Sequence, residues 1–225
     1  MAPAVPDIAQ KPRRRWSRRK QARPAEIVAA ALELFAERGF AATRLDDVAA
    51  RAGVSKGTLY LYFASKEELF KAVVRESLLP NIARVEALVA DFPGPTTELV
   101  RRIVETIGMA VATSRLGALP KLVIAESGNF PDIARFYLDE VIRRGLAIIE
   151  RVLKRGIERG EFRPVDVELT VRTVVAPVIL LAIWKTSFEP VDTRPLDAET
   201  YLANYLDILM NGLRVAPAAP TEGES

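Results

Sequence analysis

The chain has 225 residues, 49% apolar and 27% charged, which is too apolar for a disordered polymer and long enough to bury a core without disulfides or metal. It contains no cysteine and no histidine, so disulfide frameworks, most zinc sites, Cys nucleophiles and Ser-His-Asp triads are excluded, leaving only carboxylate, lysine or tyrosine chemistry. Net charge is +3, but residues 1–80 carry 15 Lys and Arg against 9 Asp and Glu, while residues 81–225 carry 17 against 20.

The positive excess is concentrated in Lys11, Arg13, Arg14, Arg15, Arg18, Arg19, Lys20 and Arg23. No acid interrupts this block. With Pro3, Pro6 and Pro12 ahead of it, residues 1–22 are expected to form a flexible basic arm, either a solvated tail or a segment that meets a polyanion. The N-terminus shows no apolar run after its basic residues, so a cytoplasmic chain is expected. The longest unbroken apolar run, Val174 to Trp184, has 11 residues against the roughly 20 of a membrane span, so no membrane partner is expected.

The periodicities are helical throughout, and an all-α fold is expected. Pro24 suits the first turn of a helix whose Ile27, Ala31, Leu34 and Phe35 share a face and which stops at Gly39. Thr43 is placed to N-cap a second helix, with Asp46 three residues on, and Leu45, Val48, Ala49 and Ala52 form its stripe up to Gly53. Ser55 starts a short third helix that turns Leu59 and Phe63 inward. Ser65 with Glu68 is a capping box for a fourth helix carrying Leu69, Phe70, Val73 and Val74, and Pro80 predicts a kink or break near Leu79.

After a loop at residues 91–97, helices are expected over 97–112 and 119–127. A long seventh helix from Pro131 to about Gly160 carries two apolar lines, one through Ile133, Tyr137, Val141 and Ile148 and another through Ile142, Leu146, Ile149, Leu153 and Ile157. Burial on more than one side would explain both. An eighth helix, about 166–187, is apolar nearly all round in its second half. A ninth, about 197–214, has the stripe Leu202, Tyr205, Leu209 and Leu213. Residues 215–225 read as a disordered tail.

Two short helices about the Gly53-Val54 turn have the sequence shape of a helix-turn-helix, although an ordinary αα-corner reads the same way. The outward face of the second carries Ser55, Lys56, Thr58, Tyr60 and Tyr62, hydrogen-bonding groups suited to phosphates and base edges. Gly57 disfavours a helix by about 1 kcal/mol relative to alanine, which points to close approach of a partner or to a tolerant first-turn position.

The run from Thr43 through Leu69, TRLDDVAARAGVSKGTLYLYFASKEEL, with FAERGF before it, closely resembles the DNA-binding domain of TetR-family transcriptional regulators. The remainder, with GNFP, ERGEF and the apolar eighth helix, is similar to the ligand-binding domains of an AcrR-like or AefR-like subset. The resemblance implies a three-helix DNA-binding domain over residues 23–70 and a ligand-binding and dimerisation domain over 71–214. It implies that Ser55, Lys56, Gly57, Thr58 and Tyr60 face the major groove, and that Thr43, Arg44, Tyr62 and Lys66 hold phosphates at its edges. Asp46 is assigned a capping role instead of a base contact.

It further implies a homodimer through the eighth and ninth helices on a roughly palindromic double-stranded operator, most often a repressor released by a small hydrophobic effector. No cofactor, metal or enzymatic activity is implied. Met109, Phe130, Phe136, Tyr137 and Trp184 are candidate pocket lining, with plain core packing as the alternative for each. Two other functions stand beside this one: a basic helical protein that binds anionic membrane or nucleic acid non-specifically, and a helical enzyme using carboxylate or lysine chemistry, for which no paired-carboxylate or phosphate-loop motif is present.

Overall fold

The computed structural model describes the backbone of residues 14–215 and the side chains of residues 23–215, so most of the expected tail and the first part of the basic arm, with Lys11 and Arg13, lie outside the described residues. Eleven α-helices follow one another among the described residues: α1 Arg14–Arg38, α2 Leu45–Arg51, α3 Lys56–Tyr62, α4 Lys66–Ser77, α5 Leu79–Asp91, α6 Thr96–Thr113, α7 Ala118–Glu126, α8 Pro131–Tyr137, α9 Arg143–Glu158, α10 Val167–Ser187 and α11 Ala198–Leu213. The one β-type contact among them is an isolated antiparallel bridge between Phe162 and Arg214.

Helix α1 starts ten residues before Pro24 and contains it. This corrects the expectation of a flexible arm over 14–22: Arg, Lys, Gln and Ala dominate the stretch, and all are good helix formers. The α2–α3 turn forms as the sequence predicts. Gly53 takes the left-handed conformation at φ +66°, and the N–H groups of Gly53 and Val54 close on the carbonyls of Ala50 and Ala49 in a Schellman motif. The expected cap of α2 does not form. Arg44 occupies the cap position with extended backbone and no side-chain bond, while the Thr43 hydroxyl turns inward, 2.7 Å from the Gly39 carbonyl oxygen. Ser65 does cap α4, accepting the Glu68 N–H, and the chain breaks at Leu78 just before Pro80.

The expected seventh helix is α8 and α9 joined by a π-helical turn over Leu138–Ile142. Its extra residue advances the helix phase by about 100°. Ile133 and Tyr137 are therefore buried on one line before the turn, and Ile148, Val152 and Leu153 on another after it. The two apolar lines in the sequence record a change of register along one rod.

Two cores result. The first joins α1 to α4 around Phe35, Phe40, Leu59, Leu69 and Phe70 and extends into Leu119, Leu122 and Val123 of α7 and Ile133 and Tyr137 of α8. The second joins α5, α6, α9, α10 and α11. Residue 70, where the sequence reading divides the domains, lies inside α4, and α7 and α8 also pack on the first core.

The ERGEF segment is a clasp for the second core. Gly160, at φ +68°, lets the N–H groups of Glu161 and Phe162 both return to the Gly156 carbonyl. Glu161 accepts the Thr96 N–H at the start of α6, and the buried Phe162 ring lies on Gly156. A Cβ at position 156 would sit 2.1 Å from that ring. Gly156→Ala is expected to cost about 1–3 kcal/mol through the forced shift of Phe162. A denaturant titration with an unchanged midpoint would contradict this packing.

Helix α10 has the length and apolarity of a membrane span, so the 11-residue run understated it, yet it packs against α6, α7 and α9. Only 28% of its most apolar stretch is buried within the chain. Leu169 and Leu180 on this helix are exposed.

Candidate nucleic-acid interface

The first core presents α3 at the surface. Its anchor is Leu59, fully buried, while Tyr60, Leu61 and Tyr62 are exposed. Ser55 caps the helix by accepting the Thr58 N–H at 3.1 Å, and the two hydroxyls lie 2.8 Å apart. Lys56 pairs with Asp46 of α2 at 3.0 Å and stands 6.0 Å from the Tyr60 ring centre. The Asp46 hydrogen bond raises the Lys56 pKa, holding the ammonium charged. Asp46 is thus an ion-pair partner for the third helix and not the cap expected of it.

Of the nine residues expected to meet DNA, Ser55, Lys56, Gly57, Tyr60 and Tyr62 are exposed on or beside α3, Thr58 is half-buried, and Arg44 is exposed at the start of α2. Thr43 and Lys66 are placed differently. Thr43 is 2% exposed, and Lys66 Nζ lies 2.7, 3.0 and 3.1 Å from the carbonyl oxygens of Phe40, Ala41 and Thr43, with the Phe40 ring centre 4.5 Å away. These two side chains fix the α1–α2 loop, which corrects their assignment to phosphates. Burial lowers the Lys66 pKa.

Charge pairs brace α2 from behind. Arg51 bonds Glu33 at 3.0 Å and Glu37 at 3.1 Å, and Arg115, between α6 and α7, reaches Glu33 at 2.7 Å. The Arg51 hydrogen bonds, reinforced by Arg115 at Glu33, hold both carboxyls below the ordinary range. The α1–α2 loop is also tied to the α7–α8 corner, where Glu126 accepts the Ala41 N–H at 3.1 Å and Phe130 meets Phe40 edge to face at 4.8 Å.

The structure does not gather the five residues expected to line a pocket. Phe130, Phe136 and Tyr137 pack on the first core, where α8 lies against α4 and α7, with the Arg75 guanidinium 4.9 Å over the Phe136 ring. Burial raises the Tyr137 hydroxyl pKa. Met109 packs on the second core, and Trp184 meets Phe188 with tilted rings 5.3 Å apart, its indole N–H buried without a hydrogen-bond acceptor. The second core encloses a void of about 10 Å³ lined wholly by Val, Ile and Leu, including Val104, Ile149, Val174 and Leu209.

A groove of about 520 Å³ runs between α10 and α11, lined by Thr170, Thr173 and Pro177 on one side and Tyr201, Tyr205 and Ile208 on the other. Sequence reading missed Leu61, which is 83% exposed on α3; its apolar character hid it from a search for polar contacts.

Residues 27–73 match the family described as bacterial regulatory proteins, tetR family, and residues 89–199 match the tetracyclin repressor-like C-terminal domain. The chain is 30% identical over 193 residues to the HTH-type transcriptional repressor KstR2 of Mycobacterium tuberculosis, spanning 85% of this chain and 92% of that protein. It is 29% identical over 153 residues to the fatty acid metabolism regulator protein of Bacillus subtilis, spanning 67% and 77%. The solved structure of the M. tuberculosis ketosteroid transcriptional regulator KstR2 superposes with a TM-score of 0.67 at 28% identity, covering 86% of this chain and 96% of that one. The B. subtilis regulator FadR in complex with stearoyl-CoA superposes with a TM-score of 0.71 at 22% identity, covering 84% and 98%, a likeness of fold.

Proposed function

The chain belongs to the TetR family of bacterial transcriptional regulators, and on that footing we propose that it is a cytoplasmic repressor, holding a roughly palindromic operator as a homodimer and released by a small hydrophobic effector. The observation that carries the reading is the solvent-facing edge of α3, rigidly based on Leu59 and flanked by Arg44 and Lys56. Two copies joined through α10 and α11 present two such edges, and half-sites about one duplex turn apart follow from that symmetry. The groove between α10 and α11, together with exposed Leu169, Leu180 and Ile208, supplies the self-complementary apolar surface.

The effector is read as acyl or steroid-like, in keeping with the relatives' names. An effector that wedges the second core open displaces α6 and α7. Motion then reaches α1 through Arg115–Glu33 and the α1–α2 loop through Phe130–Phe40, with the break at Leu78 as hinge, for a coupling of about 1–3 kcal/mol.

The test is selection of bound duplexes from a random library with the purified protein, followed by titration of the selected site. Tyr60→Ala and Lys56→Ala are expected to weaken operator binding by about tenfold or more while sparing random duplex. Deleting residues 1–22, which removes seven Lys and Arg, should weaken both and flatten the salt dependence by about 0.9 in log-log slope for each phosphate that is no longer neutralised. Full operator affinity in both substitutions would end this site assignment. Anionic vesicles bound more tightly than any duplex would favour the membrane reading that α10 and the basic block otherwise permit.

A further inference from the structure

We propose that Leu61 reads DNA sequence by packing its side chain on the 5-methyl group of a thymine in each operator half-site; the inference rests on the DNA-binding reading and adds a specificity residue to it. The argument starts from helix geometry. At 100° per residue, and with buried Leu59 marking the inward direction of α3, Gly57 and Leu61 fall within about 20° of the opposite pole. Lys56 and Tyr60 flank that pole on one side, and Thr58 and Tyr62 on the other. The part of α3 that enters a groove deepest therefore carries no polar atom on its side chains.

Several of the polar side chains near it also make contacts within the chain. Lys56 holds Asp46, and Ser55 and Thr58 hold each other. Leu61, at 83%, is the most exposed of the large apolar side chains among the described residues. A lone exposed leucine is ordinary, but Gly57 one turn before it is not. A Cβ at position 57 would meet nothing closer than Ser55 Oγ at 3.9 Å, and the backbone there has no positive φ, so nothing inside the chain requires glycine. The missing Cβ serves what lies outside. A bare helix surface at Gly57 lets the backbone approach the groove floor, and Leu61 then projects against it one turn further on.

The occupant is set by chemistry. Residues 27–73, which include α3, match a DNA-binding family, and of the groups that base edges present in the major groove only the thymine methyl is apolar. Cytosine, adenine and guanine would leave Leu61 facing donors or acceptors it cannot satisfy.

The experiment uses the full-length protein and the operator obtained by library selection. Each thymine is replaced in turn by deoxyuridine, which removes the methyl and nothing else, and the series is titrated with wild type and with Leu61→Ala. One symmetry-related pair of thymines is expected to be sensitive for wild type, by about fourfold per half-site and about fifteenfold when both are replaced, the worth of one buried methyl at each. Leu61→Ala should bind the parent operator more weakly, lose sensitivity at that pair alone, and melt like wild type. Tyr60→Ala should bind weakly yet keep the sensitivity. Wild-type tolerance of every replacement, or equal sensitivity in Leu61→Ala, would overturn the inference while leaving operator recognition standing. Selection of no symmetric site would remove the DNA-binding reading and this inference with it.

Discussion

Ile208→Asp is expected to leave the chain folded and monomeric, and to weaken binding to a two-half-site operator by about a hundredfold or more. Ile208 is 64% exposed on α11 at the side of the α10–α11 groove, so a carboxylate there meets water in the isolated chain. In the proposed dimer the same carboxylate lies in an apolar seam. Leu169, Thr173, Pro177 and Leu180 recur every three or four residues on one face of α10, and Tyr201, Tyr205 and Ile208 do so on α11. The seam is stiff as well as apolar, because the Tyr201 and Tyr205 hydroxyls donate to the Pro177 and Val174 carbonyls at 3.1 and 2.6 Å, fixing α11 on α10. Burying an unpaired charge there is strongly unfavourable. A monomer then engages half-sites one at a time and loses the effective concentration that joins them, typically worth 10² to 10⁴ in affinity. Sedimentation or light scattering reads the oligomer, circular dichroism the fold, and titration the affinity; Ile208→Val should change none. A dimeric Ile208→Asp chain would place the interface elsewhere.

What the sequence made legible were the features set by local chemistry. Gly53, Ser55, Ser65 and Pro80 punctuate the chain at the turn, the caps and the break where the structure has them. What stayed hidden was set by contacts between distant residues. Thr43 and Lys66 look like surface hydrogen-bonding groups until Leu34, Phe40 and Phe70 close around the α1–α2 loop and its carbonyls need donors. Phe130, Phe136 and Tyr137 look like pocket lining until α8 is seen to lie against α4, a neighbour more than fifty residues away in the chain. The π turn at Leu138–Ile142 leaves no mark in residue type, only two apolar lines that a regular helix could also show. Leu61 carries the same lesson in reverse: its chemistry was plain, but only its position opposite Leu59 gives it meaning.

The residue on which both ends of the molecule converge is Phe40, and Phe40→Ala is expected to destabilise the protein by about 3–5 kcal/mol. Its ring is fully buried, with ring centres of Phe35, Phe70 and Phe130 at 5.5, 5.7 and 4.8 Å and the Lys66 ammonium at 4.5 Å. Phe35 and Phe70 belong to the DNA-binding helices, whereas Phe130 belongs to the α7–α8 corner, so truncation removes packing from both at once. Phe40→Leu should fall between the two, restoring much of the apolar area but none of the ring pairs, each worth about 0.5–1.5 kcal/mol beyond burial. Because α7 and α8 complete the first core, both variants should unfold in one transition, with a lower midpoint and an unchanged denaturant slope. A loss below about 1 kcal/mol for Phe40→Ala would mean that the two halves do not share this aromatic joint. A separate early transition for α1–α4 would mean that they fold independently, and motion in the effector half would then need another route to α3.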